Sequence, residues 1–189
     1  MKDNSRFTQN KLGRLIPFIF IGIGLIILGF VAFSLLNSPG NESGYSVVPA
    51  EVNFPAPELT LNDLNGGKIS LTDYRKQILL INNWAIWCPP CKEEMPTLMK
   101  YFNEHSKKGF MLIGIEAGDS KEQVADFVNN FGITFPILLD PNNKSMIAFH
   151  NDNLPSSYVV DRNGIVVLAW TGPISHTMLE KYVTPLLEQ

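Results

Sequence analysis

The sequence predicts an α/β domain, a mixed central sheet flanked by helices, preceded by an apolar membrane-spanning helix. Three observations carry this. Segments 77–84 (QILLINNW) and 110–116 (FMLIGIE) are short apolar runs of the kind that form strands buried on both faces. Shorter apolar runs close in pairs around Asn65-Gly66-Gly67 and Arg162-Asn163-Gly164, as hairpins do. Finally, residues 15–36 (LIPFIFIGIGLIILGFVAFSLL) carry no charge at all.

The elements follow in order. Residues 1–14 form a flank with Lys2, Arg6, Lys11 and Arg14 against Asp3, a net +3. At a rise of about 1.5 Å per residue the 15–36 run would be about 33 Å long, enough to cross a bilayer core. With basic residues before it and no Lys or Arg close after it, the N-terminus is expected in the cytoplasm and the remainder across the membrane. A cleaved signal peptide would have a shorter apolar core and a small-x-small site, and Val31-Ala32-Phe33-Ser34 is a poor one. No cysteine ends the segment, so a lipoprotein is not indicated. Residues 37–50, rich in Gly, Ser, Asn and Pro, read as a linker, and the domain is expected over 51–189.

Within it, 58–61 and 68–71 predict a hairpin, 72–74 a turn, and 77–84 a central strand. A helix is expected from Pro89 to about Phe102, a strand over 110–116, and an amphipathic helix over 121–131 with Val124, Phe127, Val128 and Phe131 on one face. A short strand over 135–139, a short helix over 145–149, a hairpin of 157–161 with 165–170, and a last helix over 175–187 complete the domain. The whole chain carries −3, so removing the basic flank leaves −6 on the exported part, which disfavours nucleic acid as a partner.

Both cysteines of the chain lie in Trp87-Cys88-Pro89-Pro90-Cys91-Lys92. One helical turn brings two such sulfurs close enough for a small disulfide ring, and a thiolate that attacks a foreign disulfide then has a neighbour to resolve it. Cys88 follows the strand and opens the helix, where free N–H groups and the helix dipole favour a thiolate; it is assigned as the nucleophile. Cys91, inside the first turn, is the resolving thiol. Pro89 and Pro90 suit that turn and remove two donors near Cys88, which favours a reductant over a strong oxidant. A structural disulfide is a poor explanation, because so small a ring stabilises little. Zinc needs four ligands, and His105, His150 and His176 are scattered singles that read as surface or turn residues; no metal is expected. Glu94 lies three residues after Cys91, on a shared helix face, within reach of its sulfur.

The run Trp84-Ala85-Ile86-Trp87-Cys88-Pro89-Pro90-Cys91-Lys92 resembles the active-site segment of the thioredoxin superfamily, within it the membrane-anchored ResA/TlpA-like branch. Pro96 falls where such proteins kink the active-site helix, and Asn82 stands where thioredoxin has a buried Asp. The resemblance covers about residues 51–188 and implies a thioredoxin-like fold. It implies that Glu94 handles protons near the thiols. It also implies that the proline of Asn153-Leu154-Pro155-Ser156 is cis and that Leu154 and Pro155 present backbone groups to an extended substrate segment. Trp87 is expected on the contact surface and Trp84 in the core. The implied activity is thiol–disulfide exchange without a cofactor. Its partners would be exported proteins bearing disulfides, such as the CxxCH cysteines of apocytochrome c, with a polytopic membrane thiol carrier as electron donor and the bilayer around residues 15–36. Insertion of disulfides is the competing direction. A peroxidase of the peroxiredoxin kind would need Pro-x3-Thr-x2-Cys, which 81–87 lacks, and a copper metallochaperone would have a wider cysteine spacing and a distant His ligand.

Overall fold

The computed structural model describes residues 23–33 and 46–188. Residues 23–33 form helix α1, with its apolar side chains exposed. Among the described residues no helix is long and apolar enough to cross a membrane, and the rest of the expected span, 15–22 and 34–36, lies outside them, as does most of the linker.

The second unit is built on one mixed sheet of eight strands, in the order β1-β8-β7-β4-β5-β6-β2-β3. These are β1 Ala50–Pro55, β2 Thr60–Asp63, β3 Lys68–Ser70, β4 Ile78–Trp84, β5 Phe110–Ala117, β6 Ile137–Asp140, β7 Ser156–Val160 and β8 Ile165–Thr171. The helices are α2 Pro89–His105, α3 Lys121–Phe131, α4 Lys144–Ala148, α5 His176–Tyr182 and α6 Thr184–Leu187. Strand β4 runs parallel to β5 and antiparallel to β7, so it is central, and all seven of its residues are buried.

The period of two in β4 sorts its side chains into two cores. Ile78, Leu80 and Trp84 join Met95, Leu98 and Tyr101 of α2, Val124 of α3 and Leu179 of α5. Leu79 and Ile81 face the other way, to Leu71, Phe149 and Tyr158. Asn82 and Asn83 continue the alternation. Asn82 donates to Glu94 of α2 at 2.8 Å, while Asn83 accepts from Ser145 of α4 at 2.7 Å. On β5, Gly114 leaves room for the Trp84 ring: a Cβ there would lie 2.6 Å from Ile137 Cδ1 and 2.9 Å from Trp84 Nε1.

Several elements depart from the sequence expectation. Strand β1 was not anticipated; it exists by pairing with β8 at the sheet edge. Helix α2 runs to His105, three residues past the expected end. The single helix expected over 175–187 is two, broken at Val183, because Pro185 has no N–H for an intrahelical bond. His105 is buried rather than superficial, with its Nε2 2.9 Å from Glu180 Oε1.

Candidate active site

The loop leaving β4 turns at once into α2. Cys88 is its N-cap in extended conformation, Pro89 and Pro90 occupy the first two helical positions, and Pro96 lies inside the helix. Cys88 and Cys91 are joined in a disulfide. The Cys91 N–H donates to Cys88 Sγ at 3.3 Å. Since neither proline has an N–H, that is the one amide the first three helical positions can offer the sulfur. Both cysteines are buried, Cys88 at 3% exposure and Cys91 at 0%, so Cys88 is the outer of the two by a small margin. Trp87 beside it is 66% exposed, whereas Trp84 is wholly buried.

Glu94 sits one turn beyond Cys91 and is 2% exposed, a buried carboxyl and not a solvated one. Its Oε1 accepts from Asn82 Nδ2 at 2.8 Å and its Oε2 from the Ile174 N–H at 3.3 Å. Asn82 Nδ2 also donates to Ser157 Oγ at 3.0 Å. Burial pushes the Glu94 carboxyl up to about 8, against the lowering effect of these two donors. The result is a carboxyl able to hold or release a proton near neutral pH, one helical turn from the disulfide.

A second acidic group underlies the loop before Cys88. Asp119 Oδ2 accepts from the Ile86 N–H at 3.2 Å, and the Asp119 N–H in turn donates to the buried Glu116 carboxyl at 3.3 Å. Burial, with the adjacent Asp119 and Asp140 charges, pushes Glu116 up to about 8. Neither Asn82's hydrogen bond nor this pair was anticipated for the site. The residue types alone carried no signal, because Glu116 reads as the end of an apolar strand and Asp119 as a loop cap.

The Leu154–Pro155 bond is cis. Pro155 is buried and its carbonyl accepts from the Gly172 N–H at 2.8 Å, while Leu154 is half-buried and packs on the core cluster that contains Cys88 and Cys91. A cavity bordered by Pro55, Tyr74, Leu79 and Val160 lies toward the opposite end of β4 and takes no part in this arrangement.

The model of the AhpC/TSA family matches residues 52–169, from β1 through β8. The chain belongs to the AhpC/TSA family. It is 33% identical over 132 residues to the thiol-disulfide oxidoreductase ResA of Geobacillus thermodenitrificans, covering 70% of this chain and 76% of that one. It is 29% identical over 168 residues to ResA of Bacillus subtilis, covering 88% and 90%. Among solved structures it is similar to a DsbF homologue from Corynebacterium diphtheriae, with 25% identity and a TM-score of 0.68 over 79% of this chain and 97% of that one. Within this thioredoxin-like family the chain is a thiol–disulfide oxidoreductase, as its curated relatives are named.

Proposed function

We propose that the chain reduces disulfides in exported proteins by dithiol–disulfide exchange, with its catalytic domain outside the cytoplasm. The observation that carries this reading is the Cys88–Cys91 disulfide at the mouth of α2, with the buried Glu94 carboxyl one turn behind it. In the reduced protein Cys88 thiolate attacks one sulfur of the substrate disulfide, forming a mixed disulfide and releasing the other sulfur as a thiolate. That thiolate takes up a proton. Cys91 then passes its proton to Glu94 in its ionised form and attacks Cys88. The Cys88–Cys91 bond forms, the mixed disulfide breaks, and the second substrate sulfur, expelled as a thiolate, takes back a proton from Glu94, so that the substrate leaves as a dithiol. Two electrons pass to the substrate and the enzyme is left oxidised.

Trp87 and Leu154–Pro155 receive the substrate segment. Because the Pro155 carbonyl is engaged by Gly172 and proline has no N–H, the backbone groups offered to an extended chain are those of Leu154. The ResA-like resemblance supports apocytochrome c CxxCH cysteines as substrate and a polytopic membrane thiol carrier as the source of electrons. The charge-free run 15–36 after a +3 flank supports a single-pass anchor with the N-terminus cytoplasmic and residues 51–189 as the exported domain.

The reduction potential of the purified chain tests the direction, measured against dithiothreitol and glutathione buffers. A value below about −230 mV, near the reducing glutaredoxins and thioredoxin, supports the reductase. One above about −150 mV, toward the strong oxidants, assigns disulfide insertion instead.

A further inference from the structure

We propose that Glu104, His105, His176 and Glu180 bind one divalent transition-metal ion of the zinc type, clasped between the C-terminal end of α2 and helix α5. The two histidines, 71 residues apart and unremarkable singly, converge here with two carboxylates. His105 Nε2 lies 2.9 Å from Glu180 Oε1, and His176 Nε2 lies 2.6 Å from Glu104 Oε2 and 3.8 Å from Glu180 Oε1. The donor atoms of Glu104, His105 and Glu180 all lie within 4.8 Å of one another. Zinc bonds of about 2.0–2.2 Å in a tetrahedron hold neighbouring ligand atoms about 3.3–3.6 Å apart. Small side-chain rotations bring Glu104, His105 and Glu180 onto one centre, and His176 Nε2, beside both carboxylates, supplies the fourth donor.

Local architecture supports the same conclusion. His176 and Glu180 are four residues apart on α5, so they share a face and form a chelating pair. Glu104 and His105 close α2, where the negative end of the helix dipole favours a cation. Thr184 Oγ1 donates to Glu180 Oε2 at 2.8 Å, which turns Oε1 toward both imidazoles. The Tyr101 ring packs on His105 and His176, with centroids 4.4 and 5.9 Å away, fixing both rings. With neutral imidazoles the four side chains carry −2, which a dication balances. A proton can serve one nitrogen–oxygen pair; a metal ion serves all four donors together. The N2O2 set suits a borderline transition ion rather than a hard cation.

The test is titration of the full chain, without a histidine tag, with Zn2+ alone. Cys88–Cys91 is kept oxidised so that no thiolate competes. Calorimetry is expected to show one ion per chain, a thermal midpoint that rises with Zn2+, and binding that weakens from pH 7.5 to pH 5.5 as protons compete. His176→Ala and Glu104→Gln, both at side chains that retain surface exposure, are each expected to weaken binding at least tenfold while circular dichroism and disulfide exchange stay unchanged. Absence of saturable one-to-one binding overturns the proposal, as does equal affinity in the two variants. Displacement of Zn2+ by millimolar Mg2+ overturns the transition-metal assignment. Should His176→Ala fail to fold, Glu104→Gln decides.

Discussion

Asn82 and Glu94 are joined by a 2.8 Å hydrogen bond inside the core, linking the central strand to the active-site helix one turn past the disulfide. The amide presents its N–H to the carboxyl and to Ser157, and its own Oδ1 has no partner among the described residues. The bond suits an ionised Glu94, yet burial outweighs it, and the proton stays on the carboxyl to about pH 8.

That balance has a sign that can be measured. The native carboxyl, raised from 4.5 to about 8, retains a proton that the unfolded chain has already released. Its contribution to stability is complete below about pH 4.5 and is lost as pH rises through about 8. Glu94→Gln removes the titration, so urea midpoints of the variant should fall less between pH 5 and pH 8 than those of the parent. Glu116, shifted the same way, leaves a residual slope in both. An unchanged slope in Glu94→Gln would show that the group is not proton-bearing.

Roles of the two cysteines separate in single variants. Cys91→Ser should accumulate a mixed disulfide between Cys88 and a substrate thiol, visible by mass spectrometry and released by dithiothreitol. Cys88→Ser should form no such adduct and lose exchange activity by several orders of magnitude. Trapping through Cys91 instead would reverse the assignment.

Gly114 is fixed by its neighbours. A methyl group there meets Ile137, Trp84 and Phe135 at 3.0 Å or less, in the middle of β5. Gly114→Ala should cost about 1–3 kcal/mol through overpacking. The check is a lower thermal midpoint with an altered tryptophan emission, and no loss at all would mean the sheet adjusts freely.

Helix α3 offers a local counterpart. Ser120 Oγ accepts from the Gln123 N–H, and Gln123 Oε1 accepts from the Ser120 N–H. Removing this reciprocal cap in Ser120→Ala should lower stability by about 1 kcal/mol, read as a shift in denaturant midpoint with the slope unchanged.

These cases also mark what a reader of the sequence can and cannot see. The 121–131 helix is legible to the residue, because its signals are local: the Ser120 cap, the Gln123 partner, and Gly132 in the left-handed region at φ 72°. Cys88 as an N-cap and Pro89 and Pro90 behind it are legible for the same reason. The break before Pro185 carries a local signal too, since a helix interior has no place for that ring, although the reading of one helix over 175–187 passes over it. Strand β1 is not: AEVNFP alternates weakly and gains its form from β8, more than a hundred residues later. Glu94 is marked out by its spacing from Cys91, but its burial and its partners Asn82 and Ile174 come only with the fold. The same holds for His105, whose partner Glu180 arrives from the last part of the domain.

The contact between Ile86 and Asp119 has a mechanical consequence. It pins the approach to α2 to the turn before α3, just upstream of the nucleophile, while the far end of α2 is moored to Glu180 through His105. A helix tethered fore and aft has little slack to slide. Opening and closing of the Cys88–Cys91 ring must then be absorbed by swivelling of two short side chains, so the shape shown to a substrate changes at the sulfurs while the scaffold behind them stays still.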